Sequence, residues 1–171
     1  DPVTFSLNLE PLVTPTATAT VSEANSEDGL TITVNGENFT SLPAASTGSP
    51  AAGLYVALRD KATSYDDINA ENSLAPAVEF VWSGLITDGS FNVDLNAPTR
   101  SLDPDSEYEV YGWVAHGIAT GDTILFAQDL ELTTAQKDAL FPPSEQPGDE
   151  DNGDEDGDTS EPQTAAQITK A

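Results

Sequence analysis

The chain of 171 residues has 30 acidic side chains, only five Lys and Arg, and a formal net charge of −25. Such a charge repels nucleic acid and anionic lipid, because recognition of either depends on clustered Lys and Arg. Cysteine is absent, which excludes disulfides and thiolate metal sites, and no apolar run approaches the roughly 18 residues that a membrane-spanning helix needs. Methionine is absent too, so we expect a processed or excised chain.

Residues 1–13 are predicted to form an N-terminal extension or an added strand. Val3, Phe5, Leu7 and Leu9 alternate with polar residues, which is the period of a strand with one apolar face. Such a strand could join the chain's own sheet or exchange with a neighbouring subunit.

Residues 14–133 consist of short alternating segments that are separated by turn signals such as Asn35-Gly36 and Asp88-Gly89. The alternation predicts strands at 14–21, 30–34, 54–58, 78–82, 91–95, 108–114 and 124–132. Seven or eight short strands without a long helical pattern are typical of an all-β fold with two packed sheets. We therefore predict an immunoglobulin-like β-sandwich.

A short helix is predicted at 134–141, where Thr133 or Thr134 can cap its start and Pro142 ends it. Residues 142–171 are rich in Pro, Gly and acidic residues, and we predict a disordered acidic tail, because the segment cannot bury enough surface to offset its ordering entropy. Asn152–Gly157 is similar to the start of an EF-hand loop. The twelfth position is Gln163 rather than Glu, however, so no calcium site is predicted.

The most specific local motif is Leu102-Asp-Pro-Asp-Ser-Glu-Tyr108. It resembles the tyrosine corner of fibronectin type III and related sandwiches, and the resemblance implies that the Tyr108 hydroxyl bonds back to the crossover backbone. If Tyr108 faces the core, Val110 and Val114 do so too, and Tyr111 and Trp113 share the other face of the strand.

Tyr111 and Trp113 are the first candidate binding residues. An exposed aromatic pair can stack on sugars, flat cofactors or partner proteins. The alternative is that residues 38–52, residues 60–76 or the N-terminal segment cover this face. We favour the covered arrangement, since long sandwich loops often fold over a sheet.

His116, the sole histidine, is the third candidate binding residue. It could serve as an axial haem ligand or a metal ligand, and the favoured alternative is an ordinary exposed loop histidine. We predict no metal and no resident cofactor, with haem as the cofactor to consider. We also predict that the chain is not an enzyme, because no Gly-x-Ser-x-Gly elbow or Gly-rich phosphate loop is present and His116 would have to serve any triad alone.

Two stretches resemble known families. Ala17-Thr-Ala-Thr-Val-Ser22 and Asp28-Gly-Leu-Thr-Ile-Thr-Val-Asn-Gly-Glu-Asn-Phe39 are similar to the opening strands of neocarzinostatin-type actinobacterial sandwiches, although their disulfides are absent here. Gly53-Leu-Tyr-Val-Ala-Leu58 and Tyr108-Glu-Val-Tyr-Gly-Trp-Val114 are similar to immunoglobulin-like repeats of corynebacterial cell-surface proteins. Those repeats often accompany haem-transport-associated domains. The resemblance covers about residues 16–133 and implies extracellular display at the cell envelope, with haem acquisition as a context.

We therefore expect a secreted or cell-surface module without catalytic activity, for structural display, adhesion or assembly. Its partners would be other envelope or surface proteins or a neighbouring copy of the chain. The alternative is a module that binds a small ligand such as haem, a chromophore or a glycan.

Overall fold

The computed structural model describes residues 13–45, 48–68 and 75–143. The predicted N-terminal strand and acidic tail therefore lie almost entirely outside the described residues. The seven strands are β1 Thr16–Asn25, β2 Gly29–Glu37, β3 Gly53–Asp60, β4 Ala77–Trp82, β5 Phe91–Ala97, β6 Tyr108–Val114 and β7 Ile124–Leu130. Helix α1 spans Thr134–Leu140, and short 3-10 turns lie at Tyr65–Asp67, Ser83–Leu85 and Thr99–Ser101.

The strands form two antiparallel sheets. The smaller sheet has the order β1-β2-β5 and the larger one has the order β4-β3-β6-β7. Each sheet contains neighbouring strands that are not consecutive in the chain, such as β2 and β5 or β3 and β6, as in immunoglobulin-like folds. The predicted two-sheet, all-β sandwich is confirmed, and each strand overlaps a segment whose alternation predicted it.

The core lies between the two sheets and follows the period of two. Strands β2, β3 and β6 each place alternate side chains in it, because successive residues of a strand point to opposite faces. The fully buried aliphatic residues of these strands are Leu30, Ile32, Val34, Leu54, Val56, Leu58 and Val110.

Helix α1 begins with a capping box at the predicted residue. The Thr133 hydroxyl accepts a hydrogen bond from the Gln136 backbone N–H, and the Gln136 side chain accepts one from the Thr133 N–H. These bonds satisfy two of the backbone donors that a helix start leaves open. Leu140 in the last turn is buried in the core, so the helix closes one end of the sandwich.

Tyr108 forms the tyrosine corner that the Leu102–Tyr108 motif implied. Its hydroxyl accepts a hydrogen bond of 2.6 Å from the Asp103 N–H and donates one of 3.0 Å to the Asp103 carbonyl oxygen. The ring itself is 3% exposed. The crossover between β5 and β6 is thereby held by a side chain that is anchored in the core.

Replacing Tyr108 with Phe removes both of these hydrogen bonds and leaves the ring in place. We expect the free energy of unfolding to fall by about 1–3 kcal/mol, because two partly buried hydrogen bonds to the Asp103 backbone are lost and each typically contributes about 0.5–1.5 kcal/mol. Urea unfolding followed by tryptophan fluorescence measures this change. A Tyr108→Phe protein as stable as the wild type would show that the two hydrogen bonds of the hydroxyl do not contribute to stability.

Candidate functional site

Three connections meet at one end of the sandwich, which we call the loop pole. They are residues 38–52 between β2 and β3, 83–90 between β4 and β5, and 115–123 between β6 and β7. The strand register places them together, since Gly53 pairs with Trp82, Leu54 with Val114 and Gly36 with Phe91. The opposite end, which we call the base, holds residues 26–28, 60–68, 98–107 and 131–140.

Large exposed apolar side chains gather at the loop pole. In the part of the chain that the structure describes, all such residues lie in a pole connection or within three residues of the pole end of a strand: Val13, Phe80, Trp82, Leu85 and Ile118. Trp82, Leu85 and Ile118 are each more than half exposed. Isolated exposed apolar residues are ordinary, but a group of them at one end of a domain is typical of a contact surface.

The described Lys and Arg residues lie at the end of the sandwich opposite to the exposed apolar ones. Every Lys and Arg of the described residues belongs to the base or to its adjoining strand ends: Arg59, Lys61, Arg100 and Lys137. The loop pole carries Asp88 and Asp122 instead. A partner of the pole would therefore meet apolar surface with some negative charge and without Lys or Arg.

Two clefts flank the 38–52 connection. One lies between this connection and residues 83–90 and is lined by Thr40, Leu42, Pro50, Ile86 and Asp88 among others. The other lies between Pro43–Ala44 and the β6–β7 connection, and its lining includes Val114, Gly117, Ile118, Thr120 and Ile124. The second cleft is the more apolar, because aliphatic side chains dominate its walls.

The 38–52 connection is anchored from below by Phe39. Its buried ring makes edge contacts with Phe91 and Phe126, with ring centroids 5.0 and 5.9 Å apart. Its backbone N–H donates a 2.8 Å hydrogen bond to the Gly89 carbonyl, which ties two of the pole connections together. Gly89 has a positive φ of 77°, a conformation that favours glycine, and it follows Asp88 at 51°.

Trp113 positions the third connection. Its indole Nε1–H donates a 3.2 Å hydrogen bond to the Gly117 carbonyl, and the Gly117 N–H donates to the Val114 carbonyl. The turn between them puts His116 at a φ of 61°, in the left-handed region that histidine visits more readily than most residues. His116 is exposed, so its ring belongs to the surface of the loop pole.

Tyr111 and Trp113 do lie on the face of β6 away from the core, as predicted, but they are covered. Tyr111 is 0% and Trp113 1% exposed. They pack in a second cluster with Ile68, Ala75 and Ala119. The covered alternative is therefore confirmed, and the described parts of the predicted 60–76 segment supply the cover.

The exposed-pair interpretation, on which ligand stacking depended, is wrong for both rings. The structure brings neither ring to the surface beside the exposed His116. Trp113 acts from beneath, through its hydrogen bond to the connection that carries His116.

The covered rings belong to an aromatic row that crosses the outer face of the larger sheet. Ring centroids along the row Phe80, Tyr55, Trp113, Tyr111 and Tyr65 are 5.0 to 5.5 Å apart. Tyr111 and Trp113 are stacked with planes 14° apart, and the other pairs are tilted or edge-on. Only Phe80, at the edge strand, is exposed to a large extent.

An ion pair fastens the covering segment at the other end of the row. Arg59 Nε lies 2.9 Å from Glu109 Oε1, and both residues are buried. The Tyr65 hydroxyl donates to the same Glu109 oxygen, and the Arg59 guanidinium lies 3.9 Å from the Tyr65 ring centroid. The guanidinium also donates to the Thr63 carbonyl, so the pair holds residues 63–65 over Tyr111.

The Tyr111 hydroxyl is the exception in this network. It is buried, and it has no hydrogen-bond partner among the described residues. Burial raises its pKa far above the ordinary value, because the ionised form would lose its hydration. Burial also raises the pKa of Tyr65, with the Glu109 hydrogen bond acting in the same direction.

The described residues contain no group of three or more His, Asp or Glu side chains that could hold a metal ion. The acidic run at Asn152–Gly157 lies outside them. In the described ranges, no helix combines the length and the hydropathy that crossing a bilayer demands.

Sequence reasoning missed Phe80, Trp82, Leu85 and Ile118 as surface residues. Val78, Phe80 and Trp82 form the larger apolar row of their strand, yet the smaller Ala77 and Val81 are the ones buried in the core. Glu79 shares the face of Ala77 and Val81, so the alternation in this strand gave no signal that its larger apolar row faces outward.

Fold and surface together define an immunoglobulin-like β-sandwich with an apolar loop pole and a base that holds the described basic residues. Comparison with family models, with curated proteins and with solved structures yields no match to this chain.

A Tyr111→Phe substitution removes a buried hydroxyl that has no partner and keeps the stacked ring. We expect the free energy of unfolding at neutral pH to stay equal or rise by up to about 1 kcal/mol. The ordinary pKa is 10.0 and the folded-state pKa is higher, so the unfolded state ionises first and the wild type loses stability as pH rises above 10. The variant should therefore lose less stability between pH 9 and pH 11, as measured by urea unfolding at each pH.

Tyr108→Phe serves as the matched control, since it removes a hydroxyl that is fully bonded. Destabilisation of similar size by both substitutions would contradict the assignment of Tyr111 as an unsatisfied group.

Proposed function

We propose that this chain is a non-catalytic, extracellular surface module that acts in adhesion or assembly, and that the loop pole is its contact surface. The observation that carries the proposal is the grouping of the exposed large apolar side chains at the pole together with the placement of the described basic residues at the base. The envelope setting rests on the resemblance to corynebacterial surface repeats and on the acidic composition.

Apolar contact is the form of association that suits this charge. A net charge of −25 keeps a protein soluble and opposes approach of other acidic surfaces. Burial of Trp82, Leu85 and Ile118 would add a favourable hydrophobic contribution that salt does not screen. Aromatic and aliphatic anchors within a polar surround are also the usual centre of protein interfaces.

The rigid parts of the domain support display rather than chemistry. The buried charged residues Arg59 and Glu109 are engaged with each other and with Tyr65, so they serve to fix the covering segment. Phe39 and Trp113 hold the pole connections in place from beneath. A preorganised surface loses less conformational entropy on binding.

Substituting Leu85 and Ile118 together with Ser tests the pole as a contact surface. We expect binding of the purified chain to isolated cell envelope from the producing organism to weaken about ten-fold or more, because interface anchors typically contribute over 1 kcal/mol each. A sedimentation assay with labelled protein measures the bound fraction against protein concentration.

The matched control carries Asp105→Asn and Glu131→Gln, two exposed changes at the base. Binding of this control should match the wild type, and both variants should keep the wild-type unfolding midpoint. Equal binding by the wild type and the pole variant would show that the loop pole is not the contact surface.

A second candidate function is the binding of a small apolar ligand such as haem in the cleft between Ala44 and Ile118. The observation in its favour is that His116 belongs to the same connection as Gly117 and Ile118, which line this cleft. A histidine beside an apolar cleft is the arrangement that an axial haem ligand requires.

Haem titration separates the two candidates. We expect no Soret shift on adding haem, because Tyr111 and Trp113 are buried and offer no aromatic face to a porphyrin. A saturable Soret shift that disappears in His116→Ala would favour the small-ligand function instead. A shift that persists in His116→Ala would indicate non-specific adsorption of haem.

A further inference from the structure

Strand β4 is the edge of the larger sheet, and one side of its backbone has no strand partner among the described residues. The Ser83 N–H donates a 2.8 Å hydrogen bond to the Ala52 carbonyl, and the register then directs the backbone groups of Val81 and Glu79 toward β3. The N–H and C=O groups of Val78, Phe80 and Trp82 therefore point away from the sheet.

The same three residues carry the apolar row of the outer face. Phe80 is 43% and Trp82 56% exposed, and Val78 is partly buried. The same residues of this edge strand therefore offer both apolar side chains and backbone groups that no other strand binds among the described residues. An exposed apolar edge is a template for another strand, and proteins normally guard against this with charges, prolines or bulges.

The other edges of the two sheets are polar. Strand β1 exposes Thr16, Thr18 and Thr20, strand β5 exposes Asn92, Asp94 and Asn96, and strand β7 exposes Asp129. Strand β4 has a single charge, Glu79. Strands β1, β5 and β7 also carry one acidic residue each, so β4 is distinguished by its exposed large apolar side chains, Phe80 and Trp82, and not by its charge.

The chain itself contains a strand-like segment of matching character. Residues 3–9 have no charge, and Val3, Phe5, Leu7 and Leu9 alternate with Thr4, Ser6 and Asn8. In a protein with a net charge of −25, an uncharged segment with one apolar face and the apolar edge β4 are complementary. Cross-strand pairs between aromatic and aliphatic residues stabilise such pairing.

Topology favours a second copy over the chain's own segment. Residues 3–9 precede β1, which lies near β7, since the Ala19 N–H donates to Gln128 Oε1. Strand β4 lies on the opposite side of the sandwich, near β5. The chain's own segment would have to cross the loop pole to reach β4.

We propose that residues 3–9 of one copy add as a strand to the free edge of β4 in a second copy. The added strand bonds to the backbone of Val78, Phe80 and Trp82 and places Phe5 and Leu7 beside their side chains. The donor segment and the acceptor edge are different surfaces, so the contact is head-to-tail and can propagate along a row of copies. This assembly goes beyond the contact surface proposed for the loop pole.

Sedimentation velocity of the full chain tests the proposal. Salt near physiological strength is needed, since it reduces charge repulsion to a range of about 8 Å. We expect the average mass to rise above the monomer value of 17.9 kDa as protein concentration increases. Leu7→Asp and, separately, Trp82→Lys should each weaken association at least about ten-fold, a loss that follows from placing a charge in an apolar strand pair.

Thr18→Lys is the matched control, because it adds the same charge to the exposed face of the other sheet's edge strand β1. It should leave association unchanged. A chain that stays monomeric at every concentration, or association that Thr18→Lys weakens as much as Trp82→Lys does, would overturn the proposal.

Cysteine cross-linking separates exchange between copies from pairing within one chain. The sequence has no cysteine, so Leu7→Cys in one chain and Val78→Cys in a differently tagged chain are unique labels. We expect a short bismaleimide to join the two chains in a mixture, and Trp82→Lys in the Val78→Cys chain to abolish the product. Cross-linking only when both cysteines lie in the same chain, independent of concentration, would show that the segment folds onto its own β4 and would refute exchange.

Discussion

Burial of β6 on both of its faces is the constraint on which the rest of the structure depends. All seven residues from Tyr108 to Val114 are buried, although antiparallel sheets commonly leave one face to solvent. The inner face completes the core with Val110. The outer face carries Tyr111 and Trp113, which are both covered.

An ion pair and hydrogen bonds hold the covering residues 63–65 in place. Arg59 and Glu109 lie on neighbouring strands directly opposite each other, so their side chains are neighbours on one face of the sheet. Removing either partner would leave a buried charge without compensation and release residues 63–65. Farther along the row, the Trp113 Nε1–H donates to the Gly117 carbonyl, so a second covered ring orders the loop pole.

Much of the fold could be predicted because its signals are local. Alternation specified the strands, and the Leu102–Tyr108 motif specified the crossover, since the Tyr108 hydroxyl bonds to a residue only five positions away. The candidate site could be predicted only in part. Whether Tyr111 is covered depends on Tyr65 and Ile68, which are distant in sequence, and the exposed row of β4 is set by its position at the sheet edge. Alternation of apolar and polar residues indicates that the two faces of a strand differ. It does not indicate which other parts of the chain cover each face.

The negative charge of the domain limits where on its surface a contact can form. The average surface of a strongly acidic domain repels another acidic surface, so a contact with a second copy would use the places where charge is lowest and apolar area highest. In the described residues those places are the loop pole and the edge strand β4, which meet at Trp82. The Trp82 ring lies against Gly84, where a Cβ atom would come within 2.5 Å of the indole. Glycine at this position therefore lets the indole lie across the corner between edge and pole, and a larger residue there would force the indole to shift.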